Sequence, residues 1–213
     1  MHQSAMQNCS LFFDTYIKNS DSITVLDIGA QDINGSLKEL VPHQVKYIGV
    51  DVAEGKNVDI VLDDPYKLPF EDGSIDAIVS SSCFEHSEMF WLLFLEIMRI
   101  LKKDGLFYLN APSIFVFHRF PVDCYRFFPD SGNALVKWGQ RNGYDCILLE
   151  HYNTPSKHAQ IGELEDYVGI FLKDKTTLNQ HPKRILHKLK TFRYGCMYPE
   201  FSQFLSADNL QKN

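Results

Sequence analysis

No apolar run in this 213-residue chain reaches the length of about 18 residues that a membrane-spanning helix needs, because charged residues interrupt each one. The amino terminus also lacks the basic-then-apolar order of a secretory signal. A soluble, cytoplasmic protein with no membrane insertion is the expectation. Cysteine is sparse: Cys9, Cys83, Cys124, Cys146 and Cys196 are odd in number, scattered, and form no Cys-x-x-Cys pair. That pattern excludes a disulfide framework and a thiolate zinc site, so the five read as reduced filler. A basic surplus is missing as well. Lys and Arg number 21 against 27 acids, for a formal net charge of −6, so a nucleic acid backbone would be repelled over most of the surface. The one basic run, Lys183, Arg184, Lys188, Lys190 and Arg193, reads as the solvated face of a terminal helix.

With 45% hydrophobic content and no repeat or low-complexity linker, the chain has material for one core. Strand patterns alternate with helical ones, which argues for an α/β fold with a mostly parallel sheet covered on both faces. The expected organisation is a single domain over 1–213. Its core runs from about 20 to 173, with a helix over 1–20 and an extension, 174–213, that shows no assignable pattern.

The most informative stretch runs from Val25 through Asp27, Gly29 and Ala30 to Gly35 and Ser36, followed by the apolar Tyr47-Ile48-Gly49-Val50 and then Asp51. An apolar strand, a turn of small residues, and a second strand ending in a carboxylate about 20 residues on is the pattern of a nucleotide-binding βαβ unit. Small residues let backbone amides approach a ligand, and Asp51 suits a ribose diol. A dinucleotide site wants three glycines for its pyrophosphate, yet only Gly29 and Gly35 are present, and Asp27 and Asp32 bring negative charge. Such acids suit a ligand carrying an ammonium and a sulfonium.

On these residues the chain resembles the class I S-adenosylmethionine-dependent methyltransferases, whose first motif is a strand ending in Asp-x-Gly-x-Gly-x-Gly. Gln31 stands at the middle glycine, and Asn34-Gly35-Ser36 suggests a longer turn. The resemblance implies a Rossmann-like, doubly wound sheet, mostly parallel, with its last two strands paired antiparallel, and S-adenosylmethionine as cofactor. It places cofactor contacts at Asp27, Gly29, Ala30, Gln31, Asp51 and Val52. Val58 to Leu62 reads as a third strand, after which Asp63 or Asp64 would meet the adenine amino group. Ala77 to Ser80 is the fourth strand, and the loop from Ser81 to His86 would pass beneath the methionine part, adding Ser80, Ser81 and Phe84. The N-terminal helix could cover the cofactor. Ser87 reads as the N-cap of a buried helix over Glu88 to Lys103, which ends before Gly105.

The second half carries the acceptor chemistry. Leu106 to Asn110 reads as strand five, and the segment from Phe115 to Asp130 is dense in aromatic residues. It resembles the His-x-x-Pro-x-Asp-x-x-Arg-Phe-x-Pro-Asp stretch of small methyltransferases found among glycan-building enzymes, which implies O-methylation of a sugar or similar small acceptor. Rings supply contact area while polar groups fix orientation, giving Phe117, Tyr125 and Arg126 as substrate-binding candidates. Most of Phe115, Phe117, Phe127 and Phe128 are expected to pack among themselves. A hydroxyl acceptor needs a base: His118 first, His86 second, with Asp123 orienting the base or serving as one, and Glu85 in reserve to stabilise the sulfonium.

Asp130 to Asn142 reads as a helix, and Tyr144 to Glu150 and Tyr167 to Leu172 as strands. The intervening stretch, His151 to Asp166, reads as a solvated loop whose His151, His158, Glu163, Glu165 and Asp166 match no ligand spacing, so no metal is expected. A quinone, a lipid or an N-nucleophile are alternative acceptors. A binding module without turnover is the remaining alternative.

Overall fold

The structure is a computed structural model, which describes residues 3–18, 22–158 and 162–205. Helices α1 (Gln3–Phe12), α2 (Phe90–Ile100) and α3 (Ser131–Arg141) flank nine strands. These are β1 (Thr24–Ile28), β2 (Lys46–Asp51), β3 (Ile60–Val61), β4 (Ile75–Ser81), β5 (Leu101–Ile114), β6 (Ile147–His158), β7 (Gly162–Leu172), β8 (Arg193–Met197) and β9 (Glu200–Leu205). They form one sheet in the order β3-β2-β1-β4-β5-β7-β6-β8-β9. Strands β1 to β5 pair in parallel, and β7 runs antiparallel to both β5 and β6. The expected doubly wound sheet with an antiparallel pair near its end is the observed fold. Reversal of strand order beside β1 opens a crevice at the carboxyl ends of β1 and β4, where such sheets hold ligands.

Two apolar layers cover the sheet. On one face α2 and α3 bring Leu93, Phe94, Ile97, Met98, Leu135 and Val136 onto Leu26, Ile78, Phe107 and Phe171. On the other, Cys9, Phe12 and Phe13 meet Val25, Val79 and Tyr108, joined by Ile185, Leu186 and Phe192. The expected βαβ crossover helix is absent: only a 3₁₀ turn, Leu37–Leu40, lies between β1 and β2. The segment spends its length on an Asp32 side chain accepting the Gly35 amide and on a Ser36 cap, and Pro42 then ends the turn. Helix α1 packs with Leu37 and covers this part of the sheet instead. It is thus a core helix, beginning at the carboxyl edge with Ser4 bonded to Asp166 and extending down the face.

Other expectations change at element boundaries. Helix α2 starts at Phe90 with Met89 as its uncapped N-cap, whereas Ser87 closes a short 3₁₀ turn, Phe84–His86. It ends at Ile100 because Leu101 already begins β5, where Lys102 pairs with Asp76 at 2.6 Å. The predicted solvated loop 151–166 is mostly a long β6–β7 hairpin, in which His151, Glu165 and Asp166 are buried. Pairing partners distant in sequence override the local polarity of that stretch. The basic run is no helix either. Arg184 is buried and donates to the carbonyls of His181 and Lys183, and Arg193 starts β8. Among the described residues, no helix is long and apolar enough to cross a membrane.

Candidate active site

The first turn is fixed by close backbone approach. Gly29 adopts φ 82°, and a β-carbon there would sit 2.7 Å from the Cβ of Cys83, so only glycine lets this turn lie against the loop after β4. The amides of Gly29 and Ala30 both donate to Val50 O, at 3.0 and 3.1 Å. Asp51 ends β2 and is locked to the same turn: Oδ2 accepts the Gln31 amide at 3.1 Å and Oδ1 the Val52 amide at 2.7 Å. Oδ1 also accepts the Ala53 amide, at a long 3.4 Å, so Oδ2 keeps a lone pair for a ribose hydroxyl and Oδ1 gains one when the weak Ala53 bond is exchanged. Asp27 is buried and accepts the Tyr47 hydroxyl at 2.7 Å. Burial pushes its carboxyl up to about 7, against the pull of the Tyr47 bond and with the help of the Asp51 charge.

The remaining cofactor candidates divide into committed and available groups. Asp32 is salt-bridged by Lys56 at 2.6 Å, so its charge is largely answered within the chain. Gln31 reaches over the loop after β2, donating from Nε2 to Glu54 O at 2.9 Å. Asp63, Asp64 and Val52 are exposed, with Asp64 accepting the Tyr66 amide. The Ser80 hydroxyl donates to Ile28 O, a bond between strands. Phe84 is fully buried and packs on Phe90, Phe107 and Phe127, which corrects its side chain from a cofactor contact to a core residue. Ser81 Oγ, by contrast, is buried without a hydrogen-bond partner.

A second cluster forms where the loop after β4 meets the segment after β5. Glu85 is 1% exposed, and its backbone carbonyl accepts the amides of Cys124 and Tyr125, which ties the two segments together. Its Oε2 has no hydrogen-bond partner, and burial pushes the carboxyl up to about 8. His86 Nε2 lies 3.7 Å from Glu85 Oε1, and the His86 and His118 rings meet edge to face at 4.9 Å. His86 Nδ1 is bonded to Val122 O and His118 Nδ1 to Val116 O. A carbonyl can only accept, so in the neutral rings both Nδ1 atoms carry the proton and both Nε2 atoms present a lone pair. Burial lowers the His86 pKa from its ordinary value, which favours that neutral form.

Asp123 and Arg126 turn out to hold this loop in place. Asp123 accepts two bonds from Arg126, at 2.6 and 2.8 Å, and the His118 amide at 2.7 Å. The Arg126 guanidinium holds its carboxyl well below the usual carboxylate range, so Asp123 is a poor proton acceptor and a positioning residue. Arg126 also donates to Tyr125 O and Val116 O, which commits both terminal nitrogens within the chain. Tyr125 packs on Phe90 and donates its hydroxyl to Glu88 O. Tyr125 and Arg126, the substrate-binding candidates, thus have their polar groups engaged within the chain. Phe127 is core, while Phe117 is 74% and Phe128 59% exposed, so the aromatic segment does not pack on itself as expected. Glu85 is the residue the sequence reading undervalued. Its signal was an acid between an apolar Phe84 and His86, directly after a buried strand.

Comparison with known proteins follows the same boundary. Residues 16–109 match the family described as "Methyltransferase domain". The YcgJ protein of Bacillus subtilis aligns with a TM-score of 0.57 at 16% identity, over 79% of this chain and 99% of that one. The 1,6-didemethyltoxoflavin N1-methyltransferase of Burkholderia thailandensis, solved with S-adenosylhomocysteine, gives 0.59 at 16% identity, over 81% and 80%. The fold is that of the class I methyltransferases. The family match covers less than half of the chain, and the aligned structures share its fold. The match stops before the segment from Phe115 to Asp130. The [4+2]-cyclase SpnF also aligns, with a TM-score of 0.58 at 12% identity over 81% of this chain and 82% of that one, so the fold by itself does not fix the reaction. No curated protein sequence matches the chain.

Proposed function

We propose that this protein transfers a methyl group from S-adenosylmethionine to a hydroxyl of a small acceptor, a sugar of a glycan. The observation that carries the reading is the pairing of two sites at one sheet edge: a ribose-type carboxylate on β2 and a lone-pair-rich imidazole cluster after β4 and β5. The cofactor supplies a methyl group on a sulfonium, open to in-line attack. Asp51 binds the ribose diol, and Asp27, in its ionised form, offsets the positive charge of the ligand. His118, whose Nε2 bears a lone pair and whose ring is 35% exposed in its side chain, accepts the acceptor proton, with Asp123 holding its backbone. His86 supports the same step from the other side. Phe117 and Phe120, exposed on the same loop as His118, give apolar area for a sugar ring.

The test is a screen of sugar, quinone and amine acceptors with methyl-labelled cofactor, paired with calorimetry of S-adenosylhomocysteine against Asp51→Ala. Charge-assisted hydrogen bonds contribute about 1.5–3 kcal/mol each, so losing the pair should weaken binding by about tenfold to more than a hundredfold. Parental affinity in Asp51→Ala would end the ribose assignment. Label found only on amines would replace the hydroxyl acceptor.

A further inference from the structure

Three groups able to ligate a cation converge at the edge of the acceptor loop. Glu85, His86 and His118 each offer one ligand atom, and these atoms lie within 4.8 Å of one another. Glu85 Oε2 is buried and unpartnered. Both imidazoles have Nδ1 anchored on a backbone carbonyl, Val122 O and Val116 O, which is how metal-ligating histidines are oriented and their Nε2 lone pairs aimed. The neighbouring guanidinium of Arg126 is already neutralised by its bidentate pair with Asp123, so it does little to repel a cation.

We infer that Glu85, His86 and His118 form a site for one divalent transition-metal ion, held by two imidazole nitrogens and one carboxylate. Two nitrogens and one oxygen suit zinc or a similar first-row ion, and leave coordination positions open. Magnesium, which prefers an all-oxygen shell, fits this donor set poorly. The triad bridges the loop after β4 and the loop after β5, so the ion would lock the acceptor segment against the sheet edge. The side chains of His118 and His86 are 35% and 12% exposed, giving the ion a path from solvent.

This inference deepens the proposed function and, for the role of the ion, rests on it. An acceptor hydroxyl binding at an open position gives up its proton to solvent more readily. Its oxygen then forms the new bond to the methyl carbon, while the carbon–sulfur bond breaks with its electron pair going to sulfur, leaving a neutral thioether. His118 is the base in the ion-free protein and a ligand in the loaded one. The metal-free expectation drawn from the sequence looked to residues after Glu150, whereas this triad lies elsewhere.

The decisive measurement is calorimetric titration of zinc into chelator-stripped, full-length protein, repeated for His118→Ala and His86→Ala. Cobalt absorption in the visible range serves as a ligand signature. One ion per chain is expected, with affinity falling by about a hundredfold or more in each variant. Thermal melts check that the variants fold, and the partly exposed His118 keeps the test open if His86→Ala fails to fold. No zinc binding by the parent, or equal binding in His118→Ala, would overturn the site. S-adenosylhomocysteine is titrated in parallel, so zinc binding without nucleoside binding would refute the proposed function and leave the metal site standing.

Discussion

At the scale of single residues, Asp27 couples the site to pH. Its carboxyl is raised to about 7 by burial, and a cationic ligand favours the ionised form. Affinity for S-adenosylmethionine should therefore rise as pH increases through about 7 and level off above it. Asp27→Asn should flatten the profile, and calorimetry between pH 5.5 and 8.5 would show it; a parental slope in the variant would remove Asp27 from the ligand. The same shift acts on folding with the opposite sign. Because the folded pKa lies above the ordinary value of 3.8, the stabilising contribution is fully present below that value and is lost as pH rises through about 7. Stability and ligand affinity thus pull against each other at this residue. His118 sits on the chemical step instead. His118→Ala should leave S-adenosylhomocysteine affinity nearly unchanged while turnover falls by about 10²–10⁴, the span of a lost general base. Near-parental turnover would exclude it from proton transfer.

At the scale of elements, the loop between β5 and α3 depends on one clamp. Asp123 has a side chain only 1% exposed, and Arg126 answers its charge while tying Val116 O and Tyr125 O to the same guanidinium. Removing the arginine leaves a buried carboxylate unpaired. Arg126→Ala should cost about 3 kcal/mol, near the low end for a buried pair because the guanidinium keeps some solvent. Arg126→Lys should recover only part of that, since an ammonium cannot make the bidentate contact. Denaturant melts of both variants would rank them, and equal stability of parent and Arg126→Ala would show that the clamp has no structural weight. The crossover after β1 is the converse case, an element reduced to a 3₁₀ turn because α1 already covers Leu37.

At the scale of the whole molecule, the chain beyond β7 completes the second face of the sheet. Ile185, Leu186 and Phe192 are buried against the α1 face, and Glu150 accepts the amides of Ile185 and Leu186 together with the Tyr16 hydroxyl. One buried carboxylate thereby ties the amino-terminal, central and carboxyl-terminal parts. Leu186→Ala should cost about 2–5 kcal/mol, the range for truncating a fully buried leucine. A denaturant midpoint unchanged in Leu186→Ala would show that this segment does not seal the core.

How much was legible in the sequence follows from the range of the interactions involved. The sequence alone determined β1, β2 and β4, the tight turn at Gly29 and the place of Asp51 at the end of β2, because a buried parallel strand is a short apolar run and a tight turn needs small residues next to it. It likewise determined α3, whose helical period is local. Tertiary structure decided everything set by distant partners. Nothing near His151 or Asp166 announces that they lie inside a long hairpin, since their burial comes from β5 and β8. The stretch after Leu172 carries too little periodicity to show that it extends the sheet through β8. The mutual pairing of Asp123 and Arg126, which consumes both charges, has no signature in the sequence beyond a three-residue spacing. Glu85, His86 and His118 became one cluster only when the loops after β4 and β5 met, through amide bonds from Cys124 and Tyr125 to Glu85 O, since periodicity along the chain carries no record of contacts across it.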